Sequence, residues 1–117
     1  IILISSICAQ DKLNCSKPYS MSKSALNFYC KNVSKDYSGK GIFINTISLG
    51  NIYIKNGLWG KKLKKNKTGI MKSIKENVPL KRFGKISELY NIIEYLSSEK
   101  SSFHLGSNFI MDGGQIL

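Results

Sequence analysis

The chain has 117 residues, with 18 Lys plus Arg against 7 Asp plus Glu, giving a formal net charge of +11. That length is one small domain or part of a larger one, and a content of 42% hydrophobic and 10% aromatic residues is too apolar for a disordered tail despite the charge. The longest apolar run near the start, Ile1 to Ile4, is far short of the roughly 18 to 20 residues a membrane-spanning helix needs, so no transmembrane segment is expected.

Residues 1–5 form a continuous apolar run, which suits a strand covered on both faces in a parallel sheet. The chain opens straight into this strand without Met or a polar lead-in, so a piece of a longer chain is expected. A trimmed secretory signal is the rival reading, and it lacks the basic leading region and the full apolar core. Residues 7–17 are polar and irregular. Ser16-Lys17-Pro18 resembles a helix start, because Pro in the first turn loses no hydrogen bond. From Tyr19 onward, Ser22, Ala25, Leu26, Tyr29, Val33 and Tyr37 recur at three- and four-residue steps, predicting one packed stripe that ends at Gly39 and Gly41.

Residues 41–48 are rich in β-formers and predict a second strand. Residues 50–68 contain Gly50, Gly57, Gly60 and the lysine run Lys61 to Lys67. They predict a long loop with at most one short helix, as in a lid or binding segment. A short helix is expected over 69–76, broken by Pro79. Ser87 is the expected cap of a helix in which Leu89, Ile92, Ile93 and Leu96 recur at +3, +4 and +7. A last strand over 107–111 precedes Asp112-Gly113-Gly114. The β-α-β-α-β order predicts an α/β fold with parallel strands joined by right-handed crossovers. Three such strands would leave the outer side of the first one unpaired and apolar, an edge that invites association.

The three cysteines, Cys8, Cys15 and Cys30, are odd in number and lack a paired short spacing. With His104 as the single histidine they make neither a zinc site nor a disulfide framework. Unreactive thiols in a reducing cytoplasm are the expectation.

Ser6, Tyr19 and Lys23 are the residues with chemical potential. Tyr19 and Lys23 stand four apart at a helix start and so share one face. An ammonium near a phenol favours the phenolate, drawing a tyrosine toward the working range of a general acid or base. Ser6 closes a strand at the carboxyl edge where α/β sheets bind ligands, and a hydroxyl there can hydrogen-bond a carbonyl oxygen that gains negative charge. Taken singly, each also reads as a packing tyrosine, a solvated lysine or a strand-end serine.

Taken together, these residues resemble the short-chain dehydrogenase/reductase family, in its carboxyl-terminal half. Tyr19-Ser20-Met21-Ser22-Lys23 is similar to the family's Tyr-x-x-x-Lys signature, and Ser6 lies thirteen residues before Tyr19, a common spacing for the catalytic serine. Gly41-Ile42-Phe43-Ile44-Asn45 before Gly50, then Pro79-Leu80-Lys81-Arg82-Phe83-Gly84, then Met111-Asp112-Gly113-Gly114 follow in the family's order. The resemblance implies the carboxyl-terminal part of a Rossmann-type three-layer parallel-sheet fold, spanning 1–117, with the amino-terminal dinucleotide-binding half absent. It also implies NAD or NADP as cofactor. Tyr19 would be the proton donor or acceptor, Lys23 would hold the nicotinamide ribose, Ser6 would orient the carbonyl, and Gly50 and Ile52 would lie by the nicotinamide. A homodimer or homotetramer is implied for the full-length protein, because the Tyr19 helix commonly pairs between subunits.

The chain departs from the family in having Leu49 where Pro is frequent and Ile54 where a Thr hydroxyl often contacts the cofactor. No Gly-x-Gly-x-x-Gly turn occurs between a strand and a helix, so these 117 residues alone are not expected to hold a dinucleotide. The expected substrates are small carbonyl or alcohol compounds, with a 3-oxoacyl thioester first and sugars next. The lysine run would attract an anionic substrate or an acyl carrier protein, or it is simply a solvated loop. The basic residues are spread along the chain without a nucleic-acid motif, so no nucleic-acid partner is expected. Trp59 reads as a pocket residue or a loop anchor, His104 as a packing residue, and Tyr29, Tyr37, Tyr90 and Tyr95 as packing or interface residues. The alternative to an enzyme is a non-catalytic remnant or interaction module of the same fold.

Overall fold

The computed structural model describes residues 1–117. Strand β1 (Ile2–Ser6) is followed by a 3-10 turn (Ile7–Ala9) and the long helix α1 (Lys17–Tyr37). Strand β2 (Asn45–Leu49) leads into the short β3 (Ile52–Tyr53), then helices α2 (Leu58–Lys65) and α3 (Lys67–Asn77). Strand β4 (Gly84–Lys85), helix α4 (Ile86–Leu96) and strand β5 (Asn108–Met111) complete the chain. The main sheet is parallel with order β1-β2-β5, and β3 pairs with β4 in a small parallel ribbon. The expected strands are thus present, each within a few residues of its predicted bounds.

Strand β2 is central, and Asn45 through Ser48 are all buried. Alternation along it separates two chemistries. Ile47 points into the cluster with Leu89 and Leu96 of α4, joined by Ile2, Leu49, Phe109 and Met111. Ser5, Thr46 and Ser48 are small, polar and buried, and α1 packs against these strands. Their hydroxyls are satisfied: Thr46 and Ser48 donate to Asn108 Oδ1 at 3.1 and 2.8 Å, and Ser5 donates to the Lys23 carbonyl at 3.4 Å. Helices on both faces of a parallel sheet make three layers. The outer side of β1 has no strand beside it, and Ile4 is 41% exposed.

The packed face of α1 differs from the predicted stripe. Cys30 and Ser34 are its buried residues, whereas Tyr29 is 59% exposed and Ser22 and Ala25 face solvent. A polar contact decides this: the Ser34 hydroxyl donates to Ile44 O at 2.9 Å and Cys30 O at 2.6 Å, tying the helix to the lead-in of β2. Within the predicted loop over 50–68, α2 is the one short helix allowed for, and β3 and the start of α3 at Lys67 are additions. The lysine run is helical, because lysine is a good helix former and Trp59 anchors α2 on Phe83 with ring centroids 5.4 Å apart.

The start of α4 is fixed by Glu88 rather than by the predicted cap, Ser87. Its carboxylate accepts the Lys85 backbone N–H at 2.7 Å and two Arg82 guanidinium nitrogens at 2.9 and 2.7 Å. The guanidinium contact, helped by the backbone N–H, lowers the Glu88 carboxyl from 4.5 to about 2. A carboxyl lowered in the folded state stabilises the fold above its ordinary value and loses that contribution as pH falls toward the folded value. Urea midpoints of the wild-type chain and Glu88→Gln are therefore expected to differ at pH 6 and to converge between about pH 4.5 and 2. A constant gap across that window would remove the ion pair from the stability of α4.

Candidate active site

The carboxyl ends of the three main strands define one edge. The parallel register sets Ser6 beside Leu49 and Leu49 beside Met111, so Ser6, Gly50 and Asp112 leave the sheet together. Ser6 is buried and its Oγ accepts the Cys8 N–H at 3.2 Å, an arrangement that caps the 3-10 turn. Its own hydroxyl proton stays free to donate.

Tyr19 and Lys23 lie in the first two turns of α1, which begins at Lys17 as Pro18 suggests. Lys23 Nζ donates to Ile4 O at 2.9 Å and lies 5.9 Å from the Tyr19 ring centroid. The helix is thus pinned to β1 two residues before Ser6. An ammonium carries three donors, so two remain after the bond to Ile4. The Tyr19 ring is 44% exposed and open to a ligand. Ser24 Oγ adds a bond to Ala9 O at 2.8 Å, holding the turn after Ser6 against the same helix.

The turn after β2 is held from behind. Gly50 N–H donates to Met111 O at 2.9 Å, and Gly84 N–H donates to Asn51 O at 2.9 Å. Asn51 Nδ2 donates to Gln115 Oε1 at 2.7 Å, a long-range contact with no signal in the sequence. A Cβ on Gly50 would lie 2.8 Å from Asp112 Cα and Cβ. The glycine is thus required by the Asp112 turn, whatever its distance from a cofactor. Ile52 is buried, and its side chain packs under Gly84, so only its backbone is available to a ligand. The Asp112 carboxylate accepts the Gly114 and Ile116 N–H groups at 2.8 and 2.9 Å. Leu80 N–H donates to Gly113 O at 3.2 Å, so the Pro79-Leu80 and Asp112-Gly113-Gly114 segments pack on each other. A cleft lined by Asn51, Ile52, Arg82, Glu88 and Asp112 lies behind the turn and includes neither Ser6 nor Tyr19.

The remaining candidates are structural. His104 Nε2 meets the Tyr95 hydroxyl at 3.0 Å and its ring packs edge-on against Phe109, as expected of a packing histidine. Tyr90 is 63% exposed. The expectation of three separate thiols is corrected: Cys8 and Cys15 are joined as a disulfide, with Cα atoms 6.3 Å apart, and only Cys30 is free. Their spacing gave no sign of this, because the contact is made by the turn at Ile7–Ala9. No group of His, Cys, Asp or Glu is arranged to hold a metal ion, and no helix is long and apolar enough to cross a membrane.

A parallel sheet covered by helices on both faces is the three-layer architecture of Rossmann-type folds. The family model described as Enoyl-(Acyl carrier protein) reductase matches residues 1–115. Acetoacetyl-CoA reductase of Cupriavidus necator is 31% identical, over 97% of this chain and 44% of its own length. A 3-oxoacyl-[acyl-carrier-protein] reductase of Buchnera aphidicola is also 31% identical, over 100% of this chain and 46% of its own. Among solved structures, 4-hydroxyisoleucine dehydrogenase complexed with NADH superposes with a TM-score of 0.87 at 30% identity, covering 98% of this chain and 46% of that one. L-Sorbose reductase from Gluconobacter frateurii, complexed with NADPH and L-sorbose, gives 0.87 at 29% identity, with the same coverage of both chains. The chain belongs to the short-chain dehydrogenase/reductase family. It spans under half the length of the curated relatives it matches.

Proposed function

We propose that this chain is the carboxyl-terminal, catalytic part of an NAD(P)(H)-dependent oxidoreductase that interconverts a carbonyl and a hydroxyl group. The observation that carries the reading is the bond from Lys23 Nζ to Ile4 O, which joins the Tyr19 helix to the strand that ends at Ser6. The nicotinamide, when bound, supplies or accepts the hydride. The residues at the edge fit that end of a dinucleotide. Lys23 has two free donors for ribose hydroxyls, and the Gly50–Ile52 turn presents backbone. No glycine turn suited to a pyrophosphate occurs in these residues, so that group would be held by the amino-terminal half.

In the reduction direction, the Ser6 hydroxyl donates to the substrate carbonyl and orients it, while Tyr19 gives its proton to the oxygen as negative charge develops there. In oxidation, Tyr19 takes the hydroxyl proton. Lys23 steadies the ribose.

A 3-oxoacyl thioester is the first substrate class, supported by the two thioester reductases among the relatives; small sugars come next, supported by the sorbose reductase. Between Tyr37 and Lys75 the sequence has no Asp or Glu, and α2 carries Lys61, Lys62, Lys64 and Lys65. An uncompensated basic helix favours an anionic substrate or an acyl carrier protein. The exposed Met21, Phe28 and Tyr29 on α1 suit pairing with a second subunit in a homodimer or homotetramer, and the cytoplasm is the compartment proposed.

The test is a spectrophotometric assay of the full-length protein that follows reduced nicotinamide with acetoacetyl-CoA and with a keto-sugar. Consumption with either substrate is expected, and inactivity with both would favour the non-catalytic remnant, for which Leu49 and Ile54 speak. The 117-residue chain alone is expected to show no micromolar binding in a fluorescence titration with NADH or NADPH.

A further inference from the structure

The segment between Ser6 and α1 is poorly held by ordinary contacts. None of residues 10–15 is buried. Their hydrogen bonds all stay within the segment: Gln10 and Asp11 N–H to Ile7 O, Lys12 N–H to Asp11 Oδ1, Leu13 N–H to Asp11 O, and Cys15 N–H to Leu13 O. The helix that follows lacks a side-chain cap, because Ser16 makes no capping bond. A missing cap leaves the first N–H groups of α1 without intrahelical partners in the turn that holds Tyr19. Beyond the Ser24 bond to Ala9 O, residues 10–15 are tied back to the turn after Ser6 by the Cys8–Cys15 bond.

That bond touches the site at both ends. Cys8 N–H donates to Ser6 Oγ, and Cys15 directly precedes Ser16, the residue flanking α1. Both cysteines are partly exposed, whereas Cys30 is buried and burial pushes its thiol up, so Cys30 is a poor exchange partner.

We propose that Cys8 and Cys15 are a reversible redox latch that sets the order of the Ser6-to-Tyr19 segment. A low-molecular-weight disulfide closes it. One cysteine thiolate attacks a sulfur of that disulfide, forming a mixed disulfide and releasing one thiolate. The second cysteine thiolate then attacks the protein sulfur of the mixed disulfide, forming the Cys8–Cys15 bond and releasing the other. Two electrons leave the protein, the small disulfide is reduced to two thiols, and the two cysteine protons end on those thiols. A dithiol reverses both steps. The closed form fixes the helix start, and the open form, favoured in a reducing compartment, frees it. The consequence for turnover rests on the function proposed above; the latch itself does not.

The experiment equilibrates the full-length protein with graded mixtures of reduced and oxidised glutathione. Peptide-level mass spectrometry after alkylation reads thiol state, and hydrogen exchange reads residues 16–20. The expected result is a Cys8–Cys15 linked peptide that appears and disappears with the glutathione ratio while Cys30 stays a free thiol, alkylated only after denaturation. Exchange at 16–20 should be slower in the oxidised form by at least about twofold, because the closed bond restricts the chain that leads into Ser16. In Cys8→Ser the exchange should equal that of the reduced wild type at every ratio. Single glutathione adducts without the internal link, or equal exchange in the two forms, would overturn the latch. Because neither readout uses turnover, an inactive enzyme with a working latch would sink only the proposed function.

Discussion

Tyr19→Phe in the full-length protein is expected to lower kcat by about 10²- to 10⁴-fold, the usual worth of a positioned general acid or base. The ring is 44% exposed, so loss of the hydroxyl opens no cavity and strands no buried partner. Circular dichroism and the thermal midpoint should therefore match the wild type. The Lys23 to Ile4 bond is made by a different side chain and should survive, which leaves cofactor KM nearly unchanged. Loss of kcat with KM preserved is the signature of an interaction realised in the transition state. Unchanged kcat would move the proton transfer to another group, and a parallel loss of stability would make Tyr19 a packing residue.

The second large effect is expected at Gly50→Ala. The new methyl would sit 2.8 Å from Asp112 Cα and Cβ, so backbone has to move rather than a flexible side-chain tip. Overpacking of this kind costs about 1 to 3 kcal/mol. The strain falls on the turn that Met111 O and Gln115 also hold, so its position relative to Ser6 shifts as well. Urea unfolding should show the loss in the midpoint without a change in slope, and, under the proposed function, the full-length protein should show a raised cofactor KM. Stability within about 0.5 kcal/mol of wild type, the range of an ordinary surface change, would show that the turn slides freely past Asp112.

The parts of the fold that could be read from sequence are those where burial dictates composition. β1 reads as an apolar run and the end of β2 as a β-forming run, β2 being buried on both faces while Ile4 of β1 stays half-exposed, and α4 reads from the spacing of Leu89, Ile92, Ile93 and Leu96. The candidate site could be put forward from sequence because Ser6, Tyr19 and Lys23 are close in the chain, at the end of one strand and the start of the next helix. What escaped was set by contacts across the chain. α1 buries Ser34 because its hydroxyl finds Ile44 O, so the hydrophobic spacing caught Leu26 and Val33 at the margin of the packed face and missed its centre. The two-residue strands β3 and β4 are too short to leave a pattern. Trp59 on Phe83 joins elements whose pairing no local signal encodes, whereas the Arg82–Glu88–Lys85 bonds are local and were missed because Ser87 drew the cap assignment. The Cys8–Cys15 link depends on a turn read only as irregular.

The polar layer between β2 and β5 has a bearing on precision. Asn108 Oδ1 takes hydrogen bonds from both Thr46 and Ser48, two neighbours on one face of β2. Apolar side chains would tolerate a small slide of one strand along the other; a single oxygen shared between two hydroxyls does not. A slip of one residue, about 3.3 Å in a parallel pair, would break both bonds and carry Asp112 away from the open side of Gly50. The lateral lock in the middle of the sheet is therefore a ruler for its carboxyl edge, fixing how far each strand reaches before its turn begins.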